Sequence, residues 1–495
     1  MAVNKLFISP NMILPIAETA EKSLWQILKN IGTQLKTPVY TVGGYVRDWL
    51  LDRPCKDIDI VVLGNGVSFA QHFATAIGCH EIIIYENYGT AMVKMADYTI
   101  EFVGARKESY KQHSRKPIVE NGTLLDDQLR RDFTINTLSI SLNQDSFGQL
   151  IDPFHGIEDL RQRIIRTPTD PCITFSDDPL RMLRAIRFAS TLNFTILPQT
   201  LEAIKQYAGR ISIISYERIS EELNKMIMAV KPSAGFKLLY ETGLLALIFP
   251  EMQKLSGVEE MEGKAHKDNF WHTLQVLDNL SVYSDNLWLR WAAILHDIAK
   301  PQTKRFDSKA GWTFHGHEDK GAKMVPKIFT RLKLPLNEKM RYVQKLVQLH
   351  LRPIALVDDV VTDSAIRRLV VDAGDDLEDL MKLCRADITT RDKRKLNRYL
   401  ANFKHVEERI AQITERDHLR NWQPPVSGEV IMERYKLNPS PTVGQIKLAI
   451  RNVILDGIVP NEFQAAINYL DELVPKIIAN NNATKTTEST SHTQT

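Results

Sequence analysis

PVYTVGGYVRDWLLDRPCKDIDIVVLG, residues 38–64, decides how the amino-terminal part of this 495-residue chain is read. PVYTVGG reads as a strand ending in a Gly-Gly turn, YVRDWLL as the helix that follows, and KDIDIVVLG as a second strand with a glycine exit. Alternate residues of a strand share a face, so Asp57 and Asp59 project together while Ile58 and Ile60 point into a core. Two anionic oxygens side by side suit Mg²⁺, which binds protein through one or two carboxylates plus substrate phosphates. An isolated Asp-x-Asp is more often a pair of solvated strand-edge charges. The residues ahead of it change that weighing. Gly43 and Gly44 let backbone N–H groups approach a phosphate at a helix start, and Arg47, one turn inside, can clamp the same triphosphate. A phosphate cradle about a dozen residues before a metal pair reads as nucleotidyl transfer.

Further along, HEIIIY, TAMVKMA and YTIEFVG read as short strands, and the second half of LRRDFTINTLSISL (129–142) alternates like a half-buried strand. Arg130 and Arg131 add cations to a polyphosphate site, or are plain surface charge; Asp132, with Asn136 following, can instead orient one of these arginines. From about Asp177 the pattern turns helical. In DDPLRMLRAIRFAS (177–190), Asp178 and Arg181 are i,i+3 and therefore neighbours on a helix surface, either a helix-terminal ion pair or a reader of base edges. Cytosine and adenine both present an exocyclic amino donor beside a ring acceptor, while uracil and guanine invert the pattern. An accepting Asp and a donating Arg match the first two and reject the others. At 100° per residue, Arg184 lies about 120° round from Asp178 and Arg187 about 180°. Asp178 and Arg181 are therefore assigned to the base, Arg184 to a flanking or phosphate role, and Arg187 is the least constrained.

GGYVRDWLLDRPCKDIDI, RRDFTINTLSI, DPFHGIEDL and DDPLRMLRAIRFA, in that order over residues 43–190, resemble the successive motifs of the bacterial class II CCA-adding enzyme (tRNA nucleotidyltransferase) and poly(A) polymerase family. One departure is Asp177, where the family usually has Glu; the charge is kept. The resemblance implies an α+β fold, with a head similar to the DNA polymerase β nucleotidyltransferases followed by a helical neck, body and tail. It implies that Asp57 and Asp59 are catalytic and hold Mg²⁺, that Gly44, Arg47 and Arg131 bind the nucleotide, and that Asp178, Arg181, Arg184 and Arg187 line its pocket as a protein template. The implied reaction is attack of a tRNA 3′-hydroxyl on the α-phosphorus of CTP or ATP with loss of pyrophosphate. Such transfer needs mainly positioning and charge neutralisation, so no separate side-chain base is invoked. Poly(A) polymerases and enzymes adding only CC or only A share these head motifs.

Six of the thirteen histidines (His266, His272, His296, His315, His317, His350) fall between residues 266 and 350. Imidazoles and carboxylates from several helices can converge on a metal in a helical core, although a His-Asp dipeptide alone is usually a core ion pair. FWHTL, ILHDIAKP, FHGHE and RADI, in order, resemble an HD-superfamily metal-dependent phosphohydrolase domain. That implies His272, His296, Asp297 and Asp387 as ligands of a divalent metal, and His317 and His350 as ligands of a second. It also offers a different class of function, a phosphohydrolase whose head merely binds nucleotide.

The remaining signals set boundaries. Lysine plus arginine exceeds aspartate plus glutamate by 63 − 60 = +3, so any nucleic-acid-binding surface is local. Four scattered cysteines without a CxxC pair argue against a disulfide framework or a structural zinc site and fit a reducing, cytoplasmic setting. The amino terminus lacks an export pattern, and the longest apolar runs, such as LLALIF (244–249), fall far short of the ~20 residues that span a bilayer. NWQPPVSGE (421–429) reads as a linker. The expected organisation is a head over 15–165, a neck over 166–250, an HD-type body over 251–420, a helical tail over 421–478 resembling the family's tRNA-contacting segment, and a disordered polar end over 479–495.

Overall fold

The computed structural model describes residues 12–16, 19, 21–86, 89–109, 118–358, 362–390, 392–417 and 422–491, of which 108–109, 118–119, 357–358 and 480–491 are described as backbone. The chain forms two units, Met1–Ser256 with Arg331–Leu334, and Gly257–Thr330 with Pro335–Thr495.

The first unit is built on a seven-stranded sheet. Its strands are β1 (Val39–Val42), β2 (Asp57–Val62), β3 (Ile82–Tyr85), β4 (Thr90–Met95), β5 (Tyr98–Gly104), β6 (Ser139–Ser141) and β7 (Leu150–Ile151), in spatial order β3-β4-β5-β2-β1-β6-β7. β2 and β5 run parallel, and every other neighbouring pair is antiparallel. A parallel pair needs a crossover, and the Gly66–Ala76 helix lies within it. Asn65 caps that helix by accepting from the Ser68 N–H, and Phe69 and Phe73 pack against Phe102 of β5 at 5.9 and 5.1 Å between ring centres. β2 follows the alternation read from the sequence at its start, with Ile58 and Ile60 buried, and then becomes buried throughout at Val61 and Val62 as it enters the middle of the sheet.

After the sheet come the helices Pro171–Asp177, Leu180–Leu192, Pro198–Tyr207, Tyr216–Ile227 and Ser233–Glu241, with Leu180–Leu192 packed on the last two. Here the structure corrects one expectation. Asp178 is not on the helix: its backbone is extended (φ −134°, ψ 101°), and the helix begins at Leu180. The cause is Pro179, whose ring disfavours helical geometry in the residue before it.

The second unit is a helical assembly that includes Asn269–Ser281, Leu287–Leu295, Glu338–Leu349, Leu377–Asp387 and Lys393–Arg416. Asp268, Asn286 and Asp392 each cap the helix that follows by accepting from two backbone N–H groups. Two small hairpins interrupt the helical reading, Glu260–Met261 with Lys264–Ala265 and Arg305–Asp307 with Gly311–Thr313. Their strands are too short to show an alternating pattern, and Gly263 and Gly311 take the positive φ angles their turns require.

The tail helices Gly428–Tyr435, Pro441–Leu455 and Phe463–Ser491 share a core that includes Ile431, Ile446, Ile450 and Leu470. Each such side chain, fully buried, contributes about 1.5–3 kcal/mol. The last helix continues as backbone through 479–491, where composition suggested disorder; no Gly or Pro follows Pro475 to break its ladder. Residues 492–495 lie outside the described residues. No helix among the described residues is long and apolar enough to cross a membrane.

Candidate active site

Asp57 and Asp59 stand on β2, and the parallel register sets Asp59 opposite Glu101 of β5. Three carboxylates thus share one face of two adjoining strands. Burial pushes the Asp59 carboxyl up, against the pull of Arg131; burial and Asp59 push Glu101 up as well. A cluster that resists carrying its own negative charge is one a cation relieves. Glu101 escaped the sequence reading, because strand neighbours distant in sequence leave no local signal.

Arg131 reaches this face by a close approach over Gly43. A Cβ built on Gly43 would lie 2.7 Å from Arg131 Nη1 and 3.4 Å from Asp59 Oδ2. Gly43 also has φ +74°, so two independent constraints require glycine here. Its N–H, however, donates to Leu138 O at 3.0 Å just beyond the β1–β6 pairing and is taken up within the protein. Gly44 opens the helix Gly44–Leu50.

Arg131 is held from behind by Asp127, a fully buried carboxylate that also grips Arg130. Burial pushes the Asp127 carboxyl up, but Arg131 and Arg130 outweigh it and hold it below its usual range. The i,i+4 spacing of Asp127 and Arg131 was visible in the sequence and went unread.

Arg47 is buried and engaged inward. It donates through Nη1 to Asn136 Oδ1 at 2.7 Å and through Nε and Nη2 to Asp48, and its guanidinium lies 4.8 Å from the centre of the Phe188 ring. Asn136 Nδ2 donates to Asp132 Oδ1 at 2.9 Å, and Arg184 Nε donates to Asp132 Oδ2 at 2.7 Å. Asp132 therefore does orient an arginine, but the arginine is Arg184. Burial pushes Asp132 up, and Arg184 and Asn136 bring it well below the usual carboxylate range.

On the Leu180–Leu192 helix, every residue from 180 to 190 is buried except Arg181, Arg184 and Arg187, which recur at intervals of three and are half-buried. With Asp178 off the helix the angles counted from it no longer apply; the three arginines themselves span about 120° of the helix surface. Arg181 donates through Nη2 to the Arg130 carbonyl. Asp178 accepts from the Leu180 N–H at 3.1 Å and faces Arg218 Nη2 at 3.3 Å. Arg187 Nε lies 2.6 Å from Glu222 Oε2, and Arg184 Nη1 lies 3.9 Å from Glu222 Oε1. The Arg184 and Arg187 guanidinium groups lie 5.4 and 3.8 Å from the Phe188 ring centre, which also meets Phe133 edge-on. Glu222, Arg218 and Phe188 were not singled out from the sequence.

The second constellation lies wholly in the second unit. Asp297 is its hub. Its Oδ2 lies 3.2 Å from His296 Nε2 and 3.6 Å from His272 Nε2, and its Oδ1 lies 3.2 Å from His317 Nε2 and 3.9 Å from His350 Nε2. Asp387 Oδ1 closes the first side, 2.9 Å from His272 Nε2 and 3.7 Å from His296 Nε2. Lys300 Nζ sits 2.6 Å from Asp297 Oδ2. His296 Nε2, His317 Nε2 and His350 Nε2 are buried without a hydrogen bond, an arrangement that fits metal ligands. Two triads whose ligand atoms lie within 4.8 Å of one another, His272–His296–Asp297 and Asp297–His317–His350, share the one carboxylate. Burial holds the His350 imidazole at about 4, so it is neutral and its Nε2 lone pair is available. Burial lowers His296 too, but Asp297 outweighs it and brings it to about 9. His266 packs instead on Trp312 and Phe314, and His315 is exposed.

The sheet and its paired carboxylates define a nucleotidyltransferase head. Residues 39–166 match the Poly A polymerase head domain, 193–255 the "Probable RNA and SrmB- binding site of polymerase A", and 269–392 the HD domain. An A-adding tRNA nucleotidyltransferase of Deinococcus radiodurans is 32% identical over 447 residues, covering 88% of this chain and 96% of that protein. A Multifunctional CCA protein of Shewanella frigidimarina is 35% identical over 305 residues, covering 60% and 70%. The crystal structure of the Bacillus stearothermophilus CCA-adding enzyme in complex with CTP shares the fold, with a TM-score of 0.62 at 24% identity over 94% of this chain and 99% of that one. The chain belongs to the tRNA nucleotidyltransferase and poly(A) polymerase family.

Proposed function

We propose that this protein builds the 3′-terminal CCA of tRNA from CTP and ATP, with release of pyrophosphate. The observation that carries this reading is the joining on one sheet face of Asp57, Asp59 and Glu101 with Arg131, held over Gly43. The carboxylates hold Mg²⁺, which when bound neutralises the triphosphate and aligns its α-phosphorus. Arg131, kept rigid by Asp127, receives phosphate oxygens in bidentate fashion, with Gly44 at the helix start beside it. The tRNA 3′-oxygen bonds to the α-phosphorus as the bond to the bridging oxygen breaks, and the hydroxyl proton passes to solvent. Arg181 presents donors with Asp178 as the nearby acceptor, and these two read the base, while Arg184 and Arg187 line the same pocket beside them. Arg47 supports them through Asn136, Asp132 and Phe188. The four cysteines are free thiols, which supports a cytoplasmic setting.

The near full-length match to an A-adding enzyme favours a second reading, addition of the terminal A to tRNA that already ends in CC. The orphaned ligand set favours an additional metal-dependent phosphohydrolase activity at His272, His296, Asp297 and Asp387, with His317 and His350 holding a second ion. One experiment separates the transfer readings. Purified protein is given tRNA lacking its 3′ end, and tRNA ending in CC, with each NTP alone and with CTP plus ATP. Addition of C, C and A, stopping there, supports the first reading. Labelling by ATP only on the CC-ending tRNA supports the second, and open-ended A tailing contradicts both. Free entry of UTP or GTP removes the base-reading role of Asp178 and Arg181.

A further inference from the structure

We infer that Thr389 is a positioning residue of the histidine cluster: its hydroxyl accepts a hydrogen bond from the Nδ1–H of His272 and so presents that imidazole as a ligand on the open side of the site. The inference rests on the reading of the cluster as a metal centre.

Three of the four imidazoles around Asp297 are oriented alike. Nδ1 of His296, His317 and His350 faces the main-chain carbonyl three residues upstream, on Ala293, Phe314 and Val347, each at 2.7 Å. A carbonyl only accepts. Each of these rings therefore keeps a proton on Nδ1 and turns Nε2 toward Asp297. His272 is built differently. Its Nδ1 meets the Thr389 hydroxyl at 3.0 Å, a residue 117 positions away on the segment that leaves Asp387. A hydroxyl both donates and accepts, and it rotates to suit. When Nε2 donates to Asp387 Oδ1, at 2.9 Å, Thr389 can donate to Nδ1. When a cation occupies Nε2, the ring proton must sit on Nδ1, and the same hydroxyl turns to accept it. His272 can thus change tautomer without changing place.

His272 is also the ring where such freedom matters. Its side chain is 13% exposed, against 1% for His296, 8% for His317 and 2% for His350. With Asp387, Lys267, Thr389, Tyr399 and Phe403 it lines a cavity of about 240 Å³ that leads into the cluster. An outer partner of a ligating histidine typically changes metal affinity 10–100-fold.

The test titrates full-length protein with Mn²⁺ and follows the EPR signal of the free ion, in an Asp57→Ala/Asp59→Ala background so that the head does not contribute. The background protein should bind Mn²⁺ and lose it with His296→Ala. Thr389→Val should weaken binding about 10–100-fold, and Thr389→Ser should restore it. Thr389→Ala, which adds no bulk, should also bind more weakly than the serine variant, should valine disturb folding. Nucleotide addition by the same variants with an intact head, within about twofold of wild type, reports that the chain is folded. Equal Mn²⁺ affinity in the valine, alanine and serine variants overturns the role of Thr389. Absence of Mn²⁺ binding in the background protein overturns the metal-centre reading itself, and this proposal with it.

Discussion

The carboxylates of the head and the histidine cluster of the second unit solve the problem of concentrated charge in opposite ways. In the head, Asp57 and Glu101 are exposed and Asp59 half-buried, spaced by strand geometry, with a cation already supplied by Arg131. In the cluster, His296, Asp297, His317 and His350 are buried, come from helix ends, and leave three ring nitrogens with no hydrogen bond. The head site is open and adjustable, as suits carboxylates that share an ion with a passing triphosphate. The cluster is closed on most sides, as suits a resident ion whose binding offsets the cost of burying its ligands.

The largest expected effect sharpens that contrast. Asp59→Ala should reduce nucleotide incorporation by about 1,000-fold or more, as loss of transition-state charge stabilisation does, while leaving metal in the cluster; single-turnover assays and metal analysis of the same sample read both. The reciprocal change follows. Asp297→Ala removes the carboxylate common to both triads and should empty the cluster, yet tRNA extension should stay within about twofold of wild type. Coupled loss of both functions would break the comparison.

Asp127→Ala should come next, costing about 3–5 kcal/mol because it leaves two arginines without their buried partner. Denaturant unfolding reads the loss, and an increased KM for CTP reads the displacement of Arg131. The sign with pH is fixed. The carboxyl is held below its usual value, so its contribution is complete above the unfolded pKa of about 3.9 and fades as pH falls through the lower folded value. The stability gap between wild type and variant should close in that acid range and be constant near neutrality. Gly43→Ala should be the smallest of the four, at about 1–3 kcal/mol, from the strained φ and from crowding of Arg131. Here a fall in incorporation larger than the fall in stability is expected, and an inert substitution would show that Arg131 does not depend on its passage over Gly43.

What could be read from the sequence was what is local. The strand–turn–helix–strand over 38–64 and the two-residue spacing of the aspartates translate directly into β1, the Gly44–Leu50 helix and β2. The six HD-type candidates were placed by ordered motifs, and the structure gathers the other five around Asp297. What escaped was what the chain assembles over distance. Glu101 joins Asp59 only through a parallel pairing 42 residues apart, and Glu222 meets Arg187 only through helix packing. The misreading of Asp178 was avoidable, since the residue ahead of a proline is biased away from helix. Taking Asp178 off the helix removes the angles counted from it, while Arg181, Arg184 and Arg187 keep their spacing and span about 120° of the helix surface.

The most direct measurement of the central claim is anomalous diffraction from crystals grown with CTP and Mn²⁺. A manganese peak bounded by Asp57, Asp59 and Glu101, with the triphosphate against Arg131 and the base facing the arginine stripe, is the result this account predicts. Ordered CTP elsewhere, with no metal at the three carboxylates, would contradict it.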